Sequence, residues 1–313
     1  AYEATTDKCA ACHRVHTGAG LALRQTAPEE NVCFTCHTAN ATPITATIVY
    51  TSFTAYTNTL TAFYKHDVAL TNGVHRSGGD DSLGGANRHI ECEDCHEPHE
   101  ATRGTATAPM IQRVMSGTTG VEPLFTSGSA LPGFNFLPQA EREHQVCLKC
   151  HSNFTSAPTY VPDGWNTALV ANGLKKITSA NATQVLDSRN MAAEFNPYAA
   201  SFHPVLAQGR NQNISAASFV PGWSQTSMVY CSDCHENNAA PAQGPHSSPL
   251  LHILAGTTNY KTGDNSTPLA TEVCFKCHSF AVYVTGAAGT TGAGGTNFYQ
   301  GTRNLHSFHV RQT

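Results

Sequence analysis

The chain has 313 residues, of which 13% are charged and 8% aromatic, and its formal charge is −4 with neutral histidines. That acidic balance argues against a nucleic-acid partner, and no apolar run approaches the ~20 residues of a transmembrane helix. So few aromatic and charged side chains also leave little apolar surface for the two ordinary domains that this length would allow.

The chain opens Ala1, Tyr2, Glu3, Ala4, with no initiator Met and no apolar leader, and reads as the processed N-terminus of an exported protein. The first motif is Cys9-x-x-Cys12-His13, with His16 three residues beyond. The second is Cys33-x-x-Cys36-His37, preceded by Val32. Residues 45–54 are β-branched and aromatic and predict a short strand. Phe63 and His66 precede a third motif, Cys92-x-x-Cys95-His96, which again carries a second histidine, His99. Residues 138–151 open on proline, carry Glu141, Arg142 and Glu143, and predict a helix running into the fourth motif, Cys147-x-x-Cys150-His151. A further short helix is expected over 166–177. Phe202 and His203 precede the fifth motif, Cys231-x-x-Cys234-His235, where Asn238 replaces the second histidine and His246 follows. The sixth is Cys274-x-x-Cys277-His278. Beyond it, the Gly/Thr-rich stretch 285–296 predicts a flexible loop, and His306 and His309 follow, the latter in Phe308-His309-Val310.

All twelve cysteines fall into these six copies. C-x-x-C-H is the attachment sequence for a c-type haem. Two cysteines one helical turn apart form thioethers with the two vinyl groups of one haem, and the histidine binds its iron. Zinc and thiol–disulfide centres also use C-x-x-C, but six copies that each carry the histidine exclude coincidence. The sequence therefore predicts six covalently bound haem c groups, with His13, His37, His96, His151, His235 and His278 as proximal ligands. No cysteine remains for a disulfide. The expected fold is a multihaem cytochrome c, mostly coil and loops, with short helices at the motifs and little β-structure. A chain of six haems would supply the apolar core.

The motifs alternate in kind. Type A (motifs one, three and five) tends to carry a second histidine; type B (motifs two, four and six) has Val before the first cysteine. The alternation predicts three two-haem modules, 1–60, 61–160 and 161–313, which are not independent globular domains. An element containing Phe and His leads the second and third modules, at His66 and His203, and recurs at His309 with no A-type motif after it. The first module has no such element before it. The candidate distal ligands are therefore His16, His66, His99, His203, His246 and one of His306 and His309. His16 and His99 are expected to serve neighbouring haems, and His246 to supply what Asn238 does not. His144 is expected to bond a propionate and His252 to pack; His75 and His89 stay open, and the four methionines are assigned to packing.

The six motifs, the early C-x-x-C-H-x-x-H at 9–16, the segment Cys92 to His99 and the Ser201 to Val205 stretch together resemble extracellular multihaem cytochromes of metal-reducing microbes. The N-terminus is similar to that of the filament-forming hexahaem "nanowire" cytochromes. That resemblance implies that His16 ligates a haem in an adjacent subunit. It does not extend to the long loops, and Asn238 departs from it. Independently, a chain whose first module lacks its leading histidine while a spare one lies near its C-terminus is complementary to itself head to tail. A heterologous contact of that kind gives an open filament.

The expected role is electron transfer through closely spaced bis-histidine haems, with no catalytic residue, as a subunit of a conductive filament. The protein itself, other electron-transfer proteins or extracellular acceptors are the expected partners. Its expected location is extracellular or the cell surface, with the periplasm as alternative, because covalent haem attachment is completed outside the cytoplasm. The alternative role is a monomeric periplasmic or surface shuttle. A multihaem reductase would need an open iron position, and none of the six motifs is altered.

Overall fold

The computed structural model describes residues 7–10, 12–14, 16–19, 23–25, 30–34, 37, 64–66, 90–102, 104–129, 132–152, 154, 190–211, 213–236, 244–259, 268–286 and 289–312. The expected strand at 45–54 and helix at 166–177 lie outside them, as do Cys36, His75, His89 and Asn238.

Regular structure among these residues is short and gathers at the motifs. In all six, the N–H of the histidine donates to the carbonyl of the first cysteine, at 2.8–3.0 Å. This i to i−4 bond closes one helical turn and swings the imidazole to its end. Two of the turns are capped alike. The Glu91 N–H donates to Asp94 Oδ2 and the Tyr230 N–H to Asp233 Oδ2, both at 2.8 Å, which satisfies a donor that the turn itself leaves open.

The helix into the fourth motif spans only Glu143–Cys147. The longer helix expected from Pro138 fails because Arg142 is extended (φ −130°, ψ 147°) and forms a β-bridge with Met110. Ala140 donates to the Thr118 carbonyl, and Glu141 and Arg142 both donate to Gln145 Oε1. The helix lies against an antiparallel pair, Gly120–Leu124 with Gly133–Leu137, in which Val121 opposes Phe136. Glycine at 120 permits this approach: a Cβ there would stand 2.8 Å from Ala140 Cβ.

A small core joins Leu148 of the fourth motif to Ala192, Val205 and Leu206, with Met191, Phe195 and Cys231 packed on it. Full burial of a leucine contributes about 2 kcal/mol. The same contacts fix the turn that carries His203, two residues before Val205. The expected flexible loop at 285–296 is instead tied among its described residues. Thr290 and Thr296 are buried, Thr296 N–H donates to the Thr290 carbonyl, and Asn304 Nδ2 donates to the carbonyls of Val282 and Thr290. Threonine hydroxyls and a buried asparagine hold what composition alone reads as loose. The C-terminal helix Leu305–Gln312 packs on this turn. No described helix is long and apolar enough to cross a membrane.

Candidate haem centres

Among the described residues, four of the six motif histidines face a second imidazole. His13 and His99 have ring centroids 6.3 Å apart at 11° between planes. His96 and His246 are 6.1 Å apart at 25°, His66 and His151 5.8 Å at 54°, and His203 and His278 6.4 Å at 68°. A histidine nitrogen bonds a metal at about 2 Å, so two imidazoles sharing one iron have centroids about 6.3 Å apart. The four separations fit that value, and none of the described cysteines is in a disulfide. The residues present fit haem c.

Hydrogen bonding at Nδ1 fits the same use. His96 Nδ1–H donates to the Val114 carbonyl and His235 Nδ1–H to the His252 carbonyl, each at 2.8 Å. His99 Nδ1–H donates to Glu97 Oε1 at 2.7 Å. A carbonyl or carboxylate only accepts, so the proton sits on Nδ1 and Nε2 keeps its lone pair for a metal. Burial first, and then the neighbouring His96, His66 and His37, lower the pKa of His246 to about 4. That keeps it in the neutral form that ligation needs.

The acceptor carbonyls come from matching places. Val114 and His252 are each the middle residue of a short turn, Arg113–Met115 and Leu251–Ile253. His252 (φ 60°) and Ile253 (φ 56°) are left-handed, a conformation that costs about 1–3 kcal/mol for such residues. Three hydrogen bonds offset it: His235 to the His252 carbonyl, the Glu236 N–H to the Ile253 carbonyl, and the Ala255 N–H to the Cys234 carbonyl. The His252 ring is exposed, 6.4 Å from Tyr64. Its packing role therefore falls to Leu250 and Ile253, which are buried. The first motif has the same clip. Leu23 has φ 60°, the Arg14 N–H donates to the Leu23 carbonyl, and the Gln25 N–H donates to the Cys12 carbonyl.

A and B motifs are also tied within modules. Lys149 Nζ donates to the Asp94 carbonyl and to Thr119 Oγ1; Lys276 Nζ donates to the Asp233 carbonyl and to Glu236 Oε2. The equivalent positions of the first module are Ala11 and Thr35. Successive motifs touch as well. Burial first, and then Cys147, push the Cys95 thiol up to about 12, and the Cys147 thiol is raised by its contact with Cys231. Glu143, Cys147 and Cys231 bring possible ligand atoms within 4.8 Å of one another, but both cysteines belong to haem motifs. The cluster marks where motifs four and five meet. There Glu143 accepts from the Ser232 N–H and hydroxyl at 2.9 and 2.8 Å, while burial pushes its carboxyl up.

The remaining predicted residues divide. His235 faces no second imidazole among the described residues, and His16 is exposed. His37 lies close enough to His96 for that neighbour to lower its pKa, after burial. His306 is flanked by Tyr283 and Phe298 and shares a hydrogen bond with Thr296; the exposed His309 stacks on Phe298, with its Nδ1–H on the Leu305 carbonyl. His144 is buried with Nε2 3.7 Å from Glu122 Oε2, a charge contact too long for a hydrogen bond. The four ring pairings lay beyond sequence reasoning. A carbonyl such as that of His252 has no side-chain signature at all.

Residues 3–42 match the family described as a doubled CXXCH motif, which covers the first two motifs. No curated protein and no solved structure matches the chain. The family match supports a multihaem c-type cytochrome with covalently bound haem c, a class that serves electron transfer.

Proposed function

We propose that the protein is a hexahaem c-type cytochrome that carries electrons between bis-histidine haems, and that it does so as a head-to-tail polymer outside the cytoplasm. The observation that carries this reading is the register of the histidine pairs. His99, in the third motif, faces His13 of the first; His246, just after the fifth, faces His96 of the third. Two of the three A-type sites thus face an imidazole from the next A-type segment. By that rule His235 takes one from the A-type motif after it, and His16 of a second copy stands in the position that His99 occupies.

Bound at these motifs, haem supplies one-electron ferric–ferrous chemistry at a potential set by ligand and burial. The twelve cysteines would hold it; His13, His37, His96, His151, His235 and His278 would be the motif ligands to iron, and His99, His66, His246 and His203 would supply second imidazoles. His16 of the neighbour would complete the site of His235. The contact between Cys147 and Cys231 supports closely spaced centres at motifs four and five. The Nδ1–H bonds of His96, His99 and His235 hold the tautomer and orient each ring. The Lys149 and Lys276 contacts keep the two motifs of a module in fixed relation.

One observation favours a second reading. A proximal histidine without an opposite imidazole would leave an iron position open to a small ligand, as a multihaem reductase requires. Electron microscopy of native, haem-loaded protein at neutral pH, with exogenous cyanide added in parallel, separates the two. Ordered filaments whose spectrum cyanide leaves unchanged are expected. Discrete particles with one cyanide-sensitive iron would overturn the polymer and favour the enzyme; discrete particles without one would favour a monomeric shuttle.

A further inference from the structure

Motifs four and five meet across a buried carboxylate. Glu143 is 3% exposed and opens the short helix that leads into Cys147. A carboxyl oxygen of Glu143, Cys147 Sγ and Cys231 Sγ lie within 4.8 Å of one another. One sulfur belongs to the motif that ends in His151, the other to the motif that ends in His235. Both carboxyl oxygens accept hydrogen bonds, Oε1 from the Ser232 N–H and Oε2 from the Ser232 hydroxyl. A pair of oxygens that both accept is the pattern of an ionised carboxylate. No lysine, arginine or histidine pairs with it among the described residues. We infer that Glu143 sets the potential of two centres at once: its charge lowers the reduction potentials of the haem at Cys147 and of the haem at Cys231 together.

The physical basis is a fixed charge beside two one-electron couples. Reduction turns a ferric iron into a ferrous one by a single electron, with no proton or leaving group exchanged. A nearby negative charge stabilises the more positive ferric form, and more strongly where burial lowers the dielectric constant. A buried charge without a partner cation is costly, so this carboxylate favours the state in which both irons carry their extra positive charge. One side chain serves both sulfurs. Both potentials therefore fall together, and the difference between them changes little. The two Ser232 donors hold the carboxylate in place, from the residue directly after Cys231. The inference rests on haem being held at motifs four and five, and is independent of the polymer.

The test is a spectroelectrochemical titration of haem-loaded wild type, Glu143→Gln and Glu143→Asp at mildly alkaline pH, where a carboxyl pushed up by burial is ionised. Glutamine keeps the size and an oxygen for the Ser232 N–H, and removes the charge. Two of the six midpoints should rise in Glu143→Gln, each by roughly tenfold in its reduction equilibrium, or about 59 mV for one electron. The other four should stay in place. Glu143→Asp, which restores the charge, should bring both midpoints back toward wild type. Six unchanged midpoints, a shift at one alone or a shift of all six overturns the shared role. If Glu143→Gln does not load six haems, Glu143→Met combined with Ser232→Ala decides by the same shifts, because it removes the charge together with the hydroxyl that bonds it. Mass spectrometry of the wild type separates the two readings: no haem at motif four or five overturns the haem assignment itself, whereas six haems with unmoved midpoints overturn only the role of Glu143.

Discussion

The first and fifth motifs have the same backbone and different surroundings. In each, a left-handed residue, Leu23 or Ile253, accepts from the residue after the histidine, and the residue two places beyond it donates to the second cysteine carbonyl. Yet His13 faces His99 across 6.3 Å, whereas His235 faces no second imidazole among the described residues. The local turn is written into each motif, but the imidazole facing His13 comes from the third motif. Under the polymer proposed above, a second copy would supply the imidazole that the described residues do not place opposite His235.

The largest expected contrast comes from deleting attachment itself. Cys231→Ala should lose one haem and also loosen the core that Cys231 shares with Leu148 and Val205, whereas Cys9→Ala, at an exposed site, should lose one haem alone. Mass spectrometry counts the haems, and denaturant midpoints should fall markedly only for the first.

Next are the opposite ligands. His99→Ala should turn one iron in six high-spin in monomers and filaments alike. His16→Ala should leave the monomer spectrum unchanged and abolish or weaken assembly. Equal effects of the two variants on the monomer would break the comparison.

Among the described residues, the junction of motifs four and five has no equivalent at the exposed first motif. Glu143→Ala leaves the Ser232 N–H and hydroxyl without their acceptor, which should cost about 2 kcal/mol in a denaturant titration. Retained stability would mean that water replaces the carboxylate.

The effect of pH acts through a single histidine. Burial and neighbouring histidines lower the pKa of His246 to about 4, from 6.5 in the unfolded chain. The unfolded chain then takes up protons first, so this contribution is fully present above about 6.5 and is lost as the pH falls toward 4. Thermal melts should decline over that window, with the iron of His96 opening before that of His13. Flat melts from pH 7 to 4 would mean that the iron, rather than burial, keeps His246 neutral.

Much of this was legible in the sequence, for a physical reason. Covalent attachment demands two cysteines and a histidine at fixed spacing, and the alternation of motif types exposes the repeat. His246 could be nominated because Asn238 leaves a gap. The partners of His66 and His203 could not be read, since each lies across from a motif more than seventy residues away, chosen by how modules stack. The carbonyls of Val114 and His252 are backbone groups that any residue supplies. The loop at 285–296 misled because composition counts glycines, whereas the structure depends on where Thr290, Thr296 and Asn304 form hydrogen bonds.

The central claim is that the site of His235 is completed by another copy. The most direct measurement is the high-spin iron content of wild-type protein, haem-loaded and at neutral pH, as assembled filaments and again after dilution to monomers. Filaments without high-spin iron, and monomers with it, are predicted. Monomers that remain wholly low-spin would contradict the account, because every iron would then find both its imidazoles within one chain.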